Sequence, residues 1–247
     1  MTCTECSKRV IARGYCTLHY QRWRKHGDPS VVLPRSYGVT RKYAINEGYF
    51  DRIETPEQAY WLGFIAADGG VLNRDGTYRL SVELKKDDAD HLQLLADALS
   101  SNVPVKFYRG CASVTFHSLR MIESLARFGI VERKSATCKP WAGLPELMPH
   151  YWRGLFDGDG TIYISARHNN WVLGICGSHD CVQSFAEWAR KMCSSHAKAI
   201  PCRPGSSCWK WQVMGKTMPR LLAEALYVNG IALERKRALA DILCERG

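Results

Sequence analysis

Two stretches of the chain share one hydrophobic pattern, in which an apolar run ends in a small residue, an aspartate and a glycine. They are residues 60–70 (YWLGFIAADGG) and residues 151–160 (YWRGLFDGDG). Their aspartates, Asp68 and Asp159, lie 91 positions apart. Apolar runs of this length are typical of a buried helix, and glycine is a common helix terminator. The pattern therefore predicts two buried helices that each present an aspartate at the C-terminal end.

The residues before the first run support a helix start there. Thr55 is a preferred N-cap, Pro56 fits the first helical position, and Gln58 can complete a capping box. An aspartate at the other end of such a helix faces the negative end of the helix dipole, so helix stability does not explain it. We therefore expect a bound cation to compensate Asp68 and Asp159.

The polar and apolar positions after each aspartate repeat in a similar order. After Asp68 the periodicity predicts a strand, a helix, two strands and a helix, at residues 78–85, 87–99, 103–109, 111–117 and 119–128. After Asp159 it predicts two strands, a helix, two strands and a helix, at residues 161–167, 171–176, 179–193, 197–203, 208–214 and 217–227. We predict an α+β fold of tandem αββαββα repeats, over residues 53–143 and 144–247.

Apolar and polar residues alternate within these strands, which predicts one face on the helices and one face outward. Phe107 and Ile164 belong to the apolar set. The outward side chains suit the edges of bases and the phosphates of DNA, although a solvated sheet face is the alternative. The candidate DNA contacts are Arg79, Lys106, Tyr108, Thr115, His117, Tyr163, Arg167, Lys210 and Gln212.

Charge and composition narrow the class of protein. The 247 residues carry a formal net charge of +10, which favours a polyanionic partner such as nucleic acid. The composition is globular, which excludes a disordered or collagen-like chain. No stretch has the roughly 20 apolar residues of a membrane-spanning helix, and the N-terminus lacks the apolar region of a secretory signal. We therefore expect no membrane partner and a cytoplasmic location in a bacterial or phage-infected cell, in association with the nucleoid.

The first twenty residues have the ligand spacing of a structural zinc site. Cys3 and Cys6 form one closely spaced pair, and Cys16 and His19 form another. Two such pairs can supply the four corners of a tetrahedral Zn²⁺ ion and leave no open position. Buried free thiols are the alternative, because the odd total of 11 cysteines argues against a disulfide framework in a reducing compartment. We predict a zinc-binding basic module over residues 1–28.

A basic run follows the last candidate zinc ligand. Arg22, Arg24 and Lys25 lie there among aromatic residues, a mixture that suits phosphates and base faces. Residues 29–52 have no clear period, and we predict an extended basic linker, in which Arg41 and Lys42 are further candidates for DNA contact.

Residues 61–69 (WLGFIAADG) and 152–160 (WRGLFDGDG), with a Gly-Ile…Arg-Lys ending after each repeat, resemble the motifs of the LAGLIDADG homing endonucleases. The resemblance is to the single-chain, two-motif members, and the N-terminal module is similar to zinc-binding appendages of mobile-element nucleases. It implies a monomer with internal pseudo-twofold symmetry, whose motif helices pack together and whose sheets form a saddle over double-stranded DNA. It also implies metal-dependent hydrolysis of both DNA strands at a long asymmetric target.

The same resemblance implies the residues of the catalytic site. The last aspartate of each motif, Asp68 and Asp159, would bind Mg²⁺ or Mn²⁺, with the backbone near Ala67 and Gly158. Neighbouring carboxylates repel each other unless a cation neutralises them, and Mg²⁺ prefers oxygen ligands. Lys85, at the end of the first predicted strand, is the best match to a supporting catalytic lysine.

Several alternatives stay open at this point. Residues 177–179 (Gly-Ser-His) offer no lysine at the corresponding place in the second half, so a strand-biased nickase is one alternative. A non-cleaving DNA- or RNA-binding protein on the same fold, such as an intron RNA maturase or a regulator, is another. A second metal site would use Cys193, His196, Cys202 and Cys208, although buried thiols explain these residues more simply. We expect residues 234–237 to form an exposed helix face.

Overall fold

The computed structural model describes residues 2–31, 42–74 and 76–246. The chain divides into two compact units, Met1–Lys42 and Tyr43–Gly247, and each is described by itself. Arg41 and much of the predicted linker lie outside the described residues.

Among its described residues, the first unit has one helix and two short β-bridges. Helix α1 (Thr17–His26) begins after Cys16 as N-cap and ends at Gly27, which has the left-handed backbone conformation of a helix C-cap (φ 75°). The bridges pair Thr2 with Arg9 and Ala12 with Tyr15, so they fold the chain ahead of the helix back on itself.

The second unit repeats one order of elements, helix–strand–strand–helix–strand–strand–helix, and then adds a final helix. The first repeat comprises α2 (Pro56–Asp68), β1 (Gly69–Arg74), β2 (Thr77–Lys85), α3 (Ala89–Ala98), β3 (Lys106–Tyr108), β4 (Cys111–His117) and α4 (Leu119–Arg127). The second comprises α5 (Met148–Asp159), β5 (Gly160–Ser165), β6 (Asn170–Gly177), α6 (His179–Cys193), β7 (Ile200–Pro201), β8 (Trp209–Gly215) and α7 (Thr217–Leu226), and α8 (Glu234–Arg246) follows.

Each repeat forms one antiparallel four-stranded sheet, with strand orders β1-β2-β4-β3 and β5-β6-β8-β7. The predicted α+β class and the repeated αββαββα order are confirmed. Some individual strands differ from prediction, and β3 is shorter than the predicted 103–109. The sequence pattern missed β1, whose glycines and polar residues hide its pairing with β2. It also predicted a strand over residues 197–203, of which Ile200 and Pro201 form the short strand β7 that pairs with β8.

The predicted start of the first motif helix is confirmed in detail. Gln58 donates its backbone N–H to the Thr55 hydroxyl at 3.1 Å, and the Gln58 side chain accepts from the Thr55 N–H at 3.1 Å. These two bonds close a capping box in front of α2, with Pro56 as the first helical residue.

The segment before α2 packs against the first repeat, although a linker was predicted over residues 29–52. Phe50 is fully buried, the Ala44 N–H donates to Asn102 Oδ1 at 2.7 Å, and the Ala44 carbonyl accepts from Ser101 Oγ at 2.7 Å. Asp51 forms an ion pair with Arg120 on α4. Residues 43–52 therefore belong to the second unit, because an apolar anchor and specific hydrogen bonds hold them there.

One face of each sheet packs on helices. In the first sheet Leu80 and Val82 lie opposite Phe116 and Val114, and all four are buried. Two residues of the predicted apolar face are instead exposed, Phe107 by 58% and Ile164 by 46%. Phe107 lies on the short edge strand β3, all three residues of which are exposed, so alternation along the strand does not determine its burial.

Candidate catalytic site at the ends of the motif helices

The two motif helices, α2 and α5, cross with their backbones in contact. A Cβ atom added at Gly63 would lie 2.0 Å from the Tyr151 carbonyl oxygen, and one added at Gly154 would lie 2.0 Å from the Tyr60 carbonyl oxygen. These reciprocal contacts leave no room for any side chain at either glycine. The glycines therefore fix how closely the two halves approach.

The same close approach extends to the C-terminal ends of the helices. A Cβ atom at Gly158 would lie 2.3 Å from Ala67 Cβ and 3.2 Å from Asp68 Oδ2. Asp159 follows Gly158 directly, so the two motif aspartates lie close to each other. Each also immediately precedes the edge strand of its sheet, β1 or β5. The structure thus brings Asp68 and Asp159 together at the C-terminal ends of the two motif helices.

Burial and mutual repulsion act on this pair of carboxyl groups. The pKa of Asp159, whose side chain still reaches solvent, is raised to about 6, first by desolvation of its carboxyl group and then by the charge of Asp68. Burial likewise raises the pKa of Asp68. Within residues 2–31, 42–74 and 76–246, neither carboxylate has a hydrogen bond or an ion pair. Two adjacent oxygen donors without partners match the ligand preference of a hard divalent cation, so the residues fit such an ion.

Two buried lysines cap the ends of the motif helices, one in each half. Lys134, in a short 3₁₀ turn after α4, donates from Nζ to the carbonyl oxygens of Ala67 at 3.2 Å and Gly69 at 2.5 Å. Lys236, in α8, donates from Nζ to the carbonyl oxygens of Phe156 and Asp157, both at 2.7 Å, and of Gly160 at 2.6 Å. The carbonyl groups that end a helix carry partial negative charge, which an ammonium group offsets.

The prediction that residues 234–237 form an exposed helix face is wrong for Lys236, which is buried. Burial, above all other effects, lowers its pKa to about 8, and burial lowers the pKa of Lys134 too. The repeated Gly-Ile…Arg-Lys endings marked both lysines in the sequence, although nothing local indicated that they reach the motif helices. Part of the charge compensation expected from a bound cation therefore comes from these side chains.

Lys85, the predicted supporting lysine, lies elsewhere. It is exposed at the end of β2, opposite Cys111 on β4. The cations that act on the Asp68 carboxyl group are Lys236, Lys134 and Arg235. The catalytic role of Lys85 stays a prediction.

A buried hydrogen-bond network crosses between the two halves beside this site. Asp157 is fully buried and accepts from the Tyr60 hydroxyl at 2.8 Å, the Tyr227 hydroxyl at 2.6 Å and the Leu233 N–H at 2.6 Å. Tyr60 gives its only hydroxyl proton to Asp157, so its oxygen accepts from His91 Nε2 at 2.8 Å. Burial lowers the pKa of His91 to about 4, which makes this ring neutral at physiological pH.

This network exists on one side only. Ala66 occupies the place in the first motif that corresponds to Asp157 in the second. Likewise Leu62 corresponds to Arg153, whose buried guanidinium donates from Nε to the Ile231 carbonyl at 2.7 Å and from Nη1 to the Leu226 carbonyl at 3.0 Å. The two repeats therefore have the same backbone fold, but different polar groups hold their motif helices in position.

The sheet registers put the candidate DNA contacts of each sheet on its outward face. In the first sheet Arg79 pairs with His117, and the next outward position pairs Ser81 with Thr115. Lys106 and Tyr108 pair with Ser113 and Cys111 and so share that face. In the second sheet Lys210 and Gln212 of β8 and Tyr163 of β5 lie on the outward face, and Arg167 is exposed in the turn after β5. The predicted alternation thus holds for the polar residues.

The N-terminal unit brings all four predicted zinc ligands together. The thiol sulfurs of Cys3, Cys6 and Cys16 and a ring nitrogen of His19 lie within 4.8 Å of one another. His19 Nδ1 is 3.2 Å from Cys3 Sγ and 3.6 Å from Cys16 Sγ. Three thiols and one imidazole at these separations are a donor set that suits tetrahedral Zn²⁺. Arg22, Arg24 and Lys25 lie on α1, and Arg24 and Lys25 are exposed.

In the described part of the chain, the N-terminal cluster is the only group of three or more candidate ligand residues whose ligand atoms lie close enough to hold a metal ion. The second cysteine–histidine site considered above therefore does not form there. Cys193 is buried on α6, and its thiol donates to the Ala189 carbonyl. Cys202 and Cys208 instead face each other across a hairpin, with their sulfurs 3.3 Å apart. The described residues also contain no helix with the length and apolarity needed to cross a bilayer.

Solved structures of homing endonucleases share this fold. The meganuclease I-SmaMI bound to uncleavable DNA aligns with a TM-score of 0.53 and 13% identity, over 74% of this chain and 90% of that one. The LAGLIDADG homing endonuclease I-GzeII in complex with its DNA target aligns with a TM-score of 0.51 and 10% identity, over 77% and 90%. I-SmaMI bound to uncleaved DNA in the presence of calcium ions aligns with a TM-score of 0.51 and 13% identity, over 77% and 91%.

Neither a sequence-family model nor a curated protein matches the chain. The similarity to the solved structures therefore establishes the fold, and the predicted resemblance to single-chain LAGLIDADG homing endonucleases is confirmed at that level.

Proposed function

We propose that this protein is a site-specific DNA endonuclease that makes a double-strand break by metal-dependent hydrolysis of phosphodiester bonds. The observation that carries the proposal is the pair formed by Asp68 and Asp159. Each ends a motif helix, and in the described part of the chain neither has a hydrogen bond or an ion pair. A protein that only binds DNA gains nothing from two acids beside a surface that faces phosphates, because like charges repel. A nuclease needs them to hold a cation.

Asp68 and Asp159 would hold Mg²⁺ or Mn²⁺, with backbone oxygens near Ala67 and Gly158 as further candidates. When bound, such an ion supplies positive charge to the scissile phosphate and to the attacking water. The Ala67 carbonyl already accepts a bond from Lys134 but has a second lone pair. Lys134 and Lys236 donate hydrogen bonds to the helix ends, and their positive charges act on the Asp159 carboxyl group.

The outward faces of the two sheets are the proposed surface for double-stranded DNA. The similarity to structures solved with DNA supports this proposal. The proposed contacts combine cations for phosphates with polar groups for base edges. They are Arg79, Lys106, Tyr108, Thr115, His117, Tyr163, Arg167, Lys210 and Gln212 on the second unit, and Arg22, Arg24, Lys25, Arg41 and Lys42 on the first.

We propose a structural Zn²⁺ ion for the N-terminal unit and a monomer as the active form. The zinc donor set has no open position, so the ion would stabilise the fold of the unit rather than take part in hydrolysis. Two motif helices in one chain provide both halves of the catalytic site, so a second copy is not needed to complete it.

Selection of cleaved sites from a randomised duplex library with Mg²⁺ tests activity and identifies the target together. Asp68→Asn and Asp159→Asn should each abolish double-strand cleavage of that target and leave its binding within a few-fold of wild type. Asp90→Asn, an exposed aspartate on α3, is the matched control and should cleave normally.

The other outcomes separate the alternatives. Linear product from both motif variants would show that the metal ligands are misassigned. Specific binding without cleavage by the wild type would indicate a non-cleaving DNA- or RNA-binding protein. Nicked product alone would indicate a nickase, the alternative suggested by the absence of a counterpart to Lys85 at residues 177–179.

A further inference from the structure

Two cysteines face each other at the end of the second sheet. Cys202 and Cys208 flank the loop of residues 203–207 that joins β7 to β8, and the Cys202 N–H donates to the Cys208 carbonyl at 2.9 Å. Their sulfurs are 3.3 Å apart. Directly hydrogen-bonded residues of antiparallel strands hold their Cα atoms about 5.5 Å apart, within the roughly 4.4–6.8 Å range of disulfides. A bond between these sulfurs therefore needs little backbone movement.

The cysteine pair lies on the outward face of the sheet. Lys210 pairs with Ile200 and with Cys176, and side chains two positions apart on a strand share a face. Cys208 therefore lies on the same face as Lys210, and Cys176 is a third thiol there. Cys176 and Cys208 also line a cleft of about 270 Å³ whose wall includes Asp159. The thiols thus border the candidate catalytic site without belonging to it.

Bound metal is the first alternative use of three neighbouring thiols. A soft metal ion needs its ligand atoms gathered as closely as those of the N-terminal cluster, where they lie within 4.8 Å of one another. In the described part of the chain, Cys176, Cys202 and Cys208 do not form such a group. The close contact of one pair favours two-electron oxidation of a dithiol instead.

We propose that Cys202 and Cys208 are a reactive dithiol that hydrogen peroxide converts to a disulfide on the outward surface of the second sheet. The Cys202 thiolate attacks a peroxide oxygen, the O–O bond breaks, and one water leaves after taking up a proton, which gives a sulfenic acid at Cys202. The Cys208 sulfur then attacks the sulfenic sulfur, the S–O bond breaks, and the departing hydroxide takes the Cys208 proton to form a second water. Two thiols lose two electrons, and one peroxide gains them.

The electrostatics of the pair suit this order of events. The hydrogen bond with Cys202, followed by burial, raises the pKa of Cys208. A raised pKa disfavours the thiolate form of Cys208, which suits this residue as the resolving thiol. Its sulfur already lies in contact with that of Cys202, where the sulfenic acid would form.

The sequence allows a direct test on the full-length protein without DNA. Trypsin cleaves after Lys198 and Lys210 but not after Arg203, which precedes proline, so both cysteines remain in one peptide. After peroxide treatment and non-reducing digestion, peptide 199–210 should lose the mass of two hydrogen atoms and resist alkylation. Dithiothreitol should restore both thiols.

Two variants and one native cysteine serve as controls. In Cys208→Ser the peptide should not lose two hydrogens, and a dimedone adduct should appear on Cys202. Cys176→Ser should form the disulfide as the wild type does. Cys111 lies on the outward face of the first sheet, with no thiol bond among the described residues, and should remain alkylatable at peroxide doses that close the pair.

The proposal is overturned if peptide 199–210 keeps two alkylatable thiols while Cys111 is oxidised. It is equally overturned if the disulfide that forms joins Cys176 to Cys202 or Cys208. Digestion would reveal that bond, because it would connect two separate peptides. Neither result bears on DNA cleavage, so this test and that of the proposed function fail independently.

Discussion

Tyr60 of the first motif helix donates its hydroxyl proton to Asp157 of the second motif helix over 2.8 Å, inside the interface of the two halves. Both side chains are fully buried. The bond joins the two helices and also stabilises the Asp157 carboxylate. Without donors, that carboxylate would be a buried, unsatisfied charge.

Tyr60→Phe should lower the free energy of unfolding by about 1–3 kcal/mol, because Asp157 and His91 each lose a buried hydrogen-bond partner. Urea denaturation followed by circular dichroism measures the change. Tyr163→Phe removes an equivalent hydroxyl from an exposed position and should change stability little. Equal effects of the two substitutions would contradict the network.

His91 should make the protein less stable in mild acid. Burial depresses its pKa from 6.5 to about 4. Between these values the unfolded chain binds a proton that the folded chain does not, so the contribution to stability is complete above pH 6.5 and is lost as the pH falls toward 4. The shift limits this contribution to about 3 kcal/mol.

The measurement compares wild type with His91→Gln by urea denaturation from pH 7 to pH 4. The raised pKa of Asp159 contributes with the opposite sign, but it is common to both proteins and cancels in the difference. The stability of the wild type should fall relative to the variant across this range. Parallel curves would mean that His91 is not buried in its neutral form.

Lys236→Met should destabilise the end of α5, because three carbonyl oxygens, those of Phe156, Asp157 and Gly160, lose their donor. We expect a loss of about 3 kcal/mol in the free energy of unfolding and a lower cleavage rate. Lys198→Met, at an exposed position before β7, is the control and should leave stability unchanged. A fully stable Lys236→Met variant would argue against the capping role.

Cys16→Ser should remove zinc from the N-terminal unit, because three remaining ligands hold the ion more weakly than four. Elemental analysis of the purified protein should show the loss. DNA affinity should fall with a shallower dependence on salt, since fewer basic side chains would reach phosphates. Cys111→Ser, which alters a thiol of the second unit, should retain full zinc content.

The elements that the sequence predicted well depend on local signals. The capping box of Thr55 and Gln58, the apolar motif runs and the spacing of the four zinc ligands each act within about twenty residues, and each is present in the structure. The strand β1 had no such signal, because its glycines and polar residues give it no alternation. Its pairing follows from the neighbouring strand β2.

The remaining features depend on contacts between distant parts of the chain. Lys236 lies in a basic run that is indistinguishable from a solvated helix face, and only the position of α8 beside α5 buries it. Likewise Tyr60, His91 and Asp157 are separated by up to 97 positions, and no periodicity relates them. Local patterns gave the carboxylate pair but not the groups that support it.

The one-sided network has a consequence for the ancestry of the chain. A homodimer of the first repeat would place Ala66 opposite Tyr60 at both ends of the interface, and its tyrosines would have no acid to bind. A homodimer of the second would place Tyr151 opposite Asp157 but would lack His91, which pairs with the Tyr60 hydroxyl in the first repeat. The halves have thus become complementary rather than interchangeable, and we expect that expressing either one alone would not recreate the symmetric ancestor implied by the duplication.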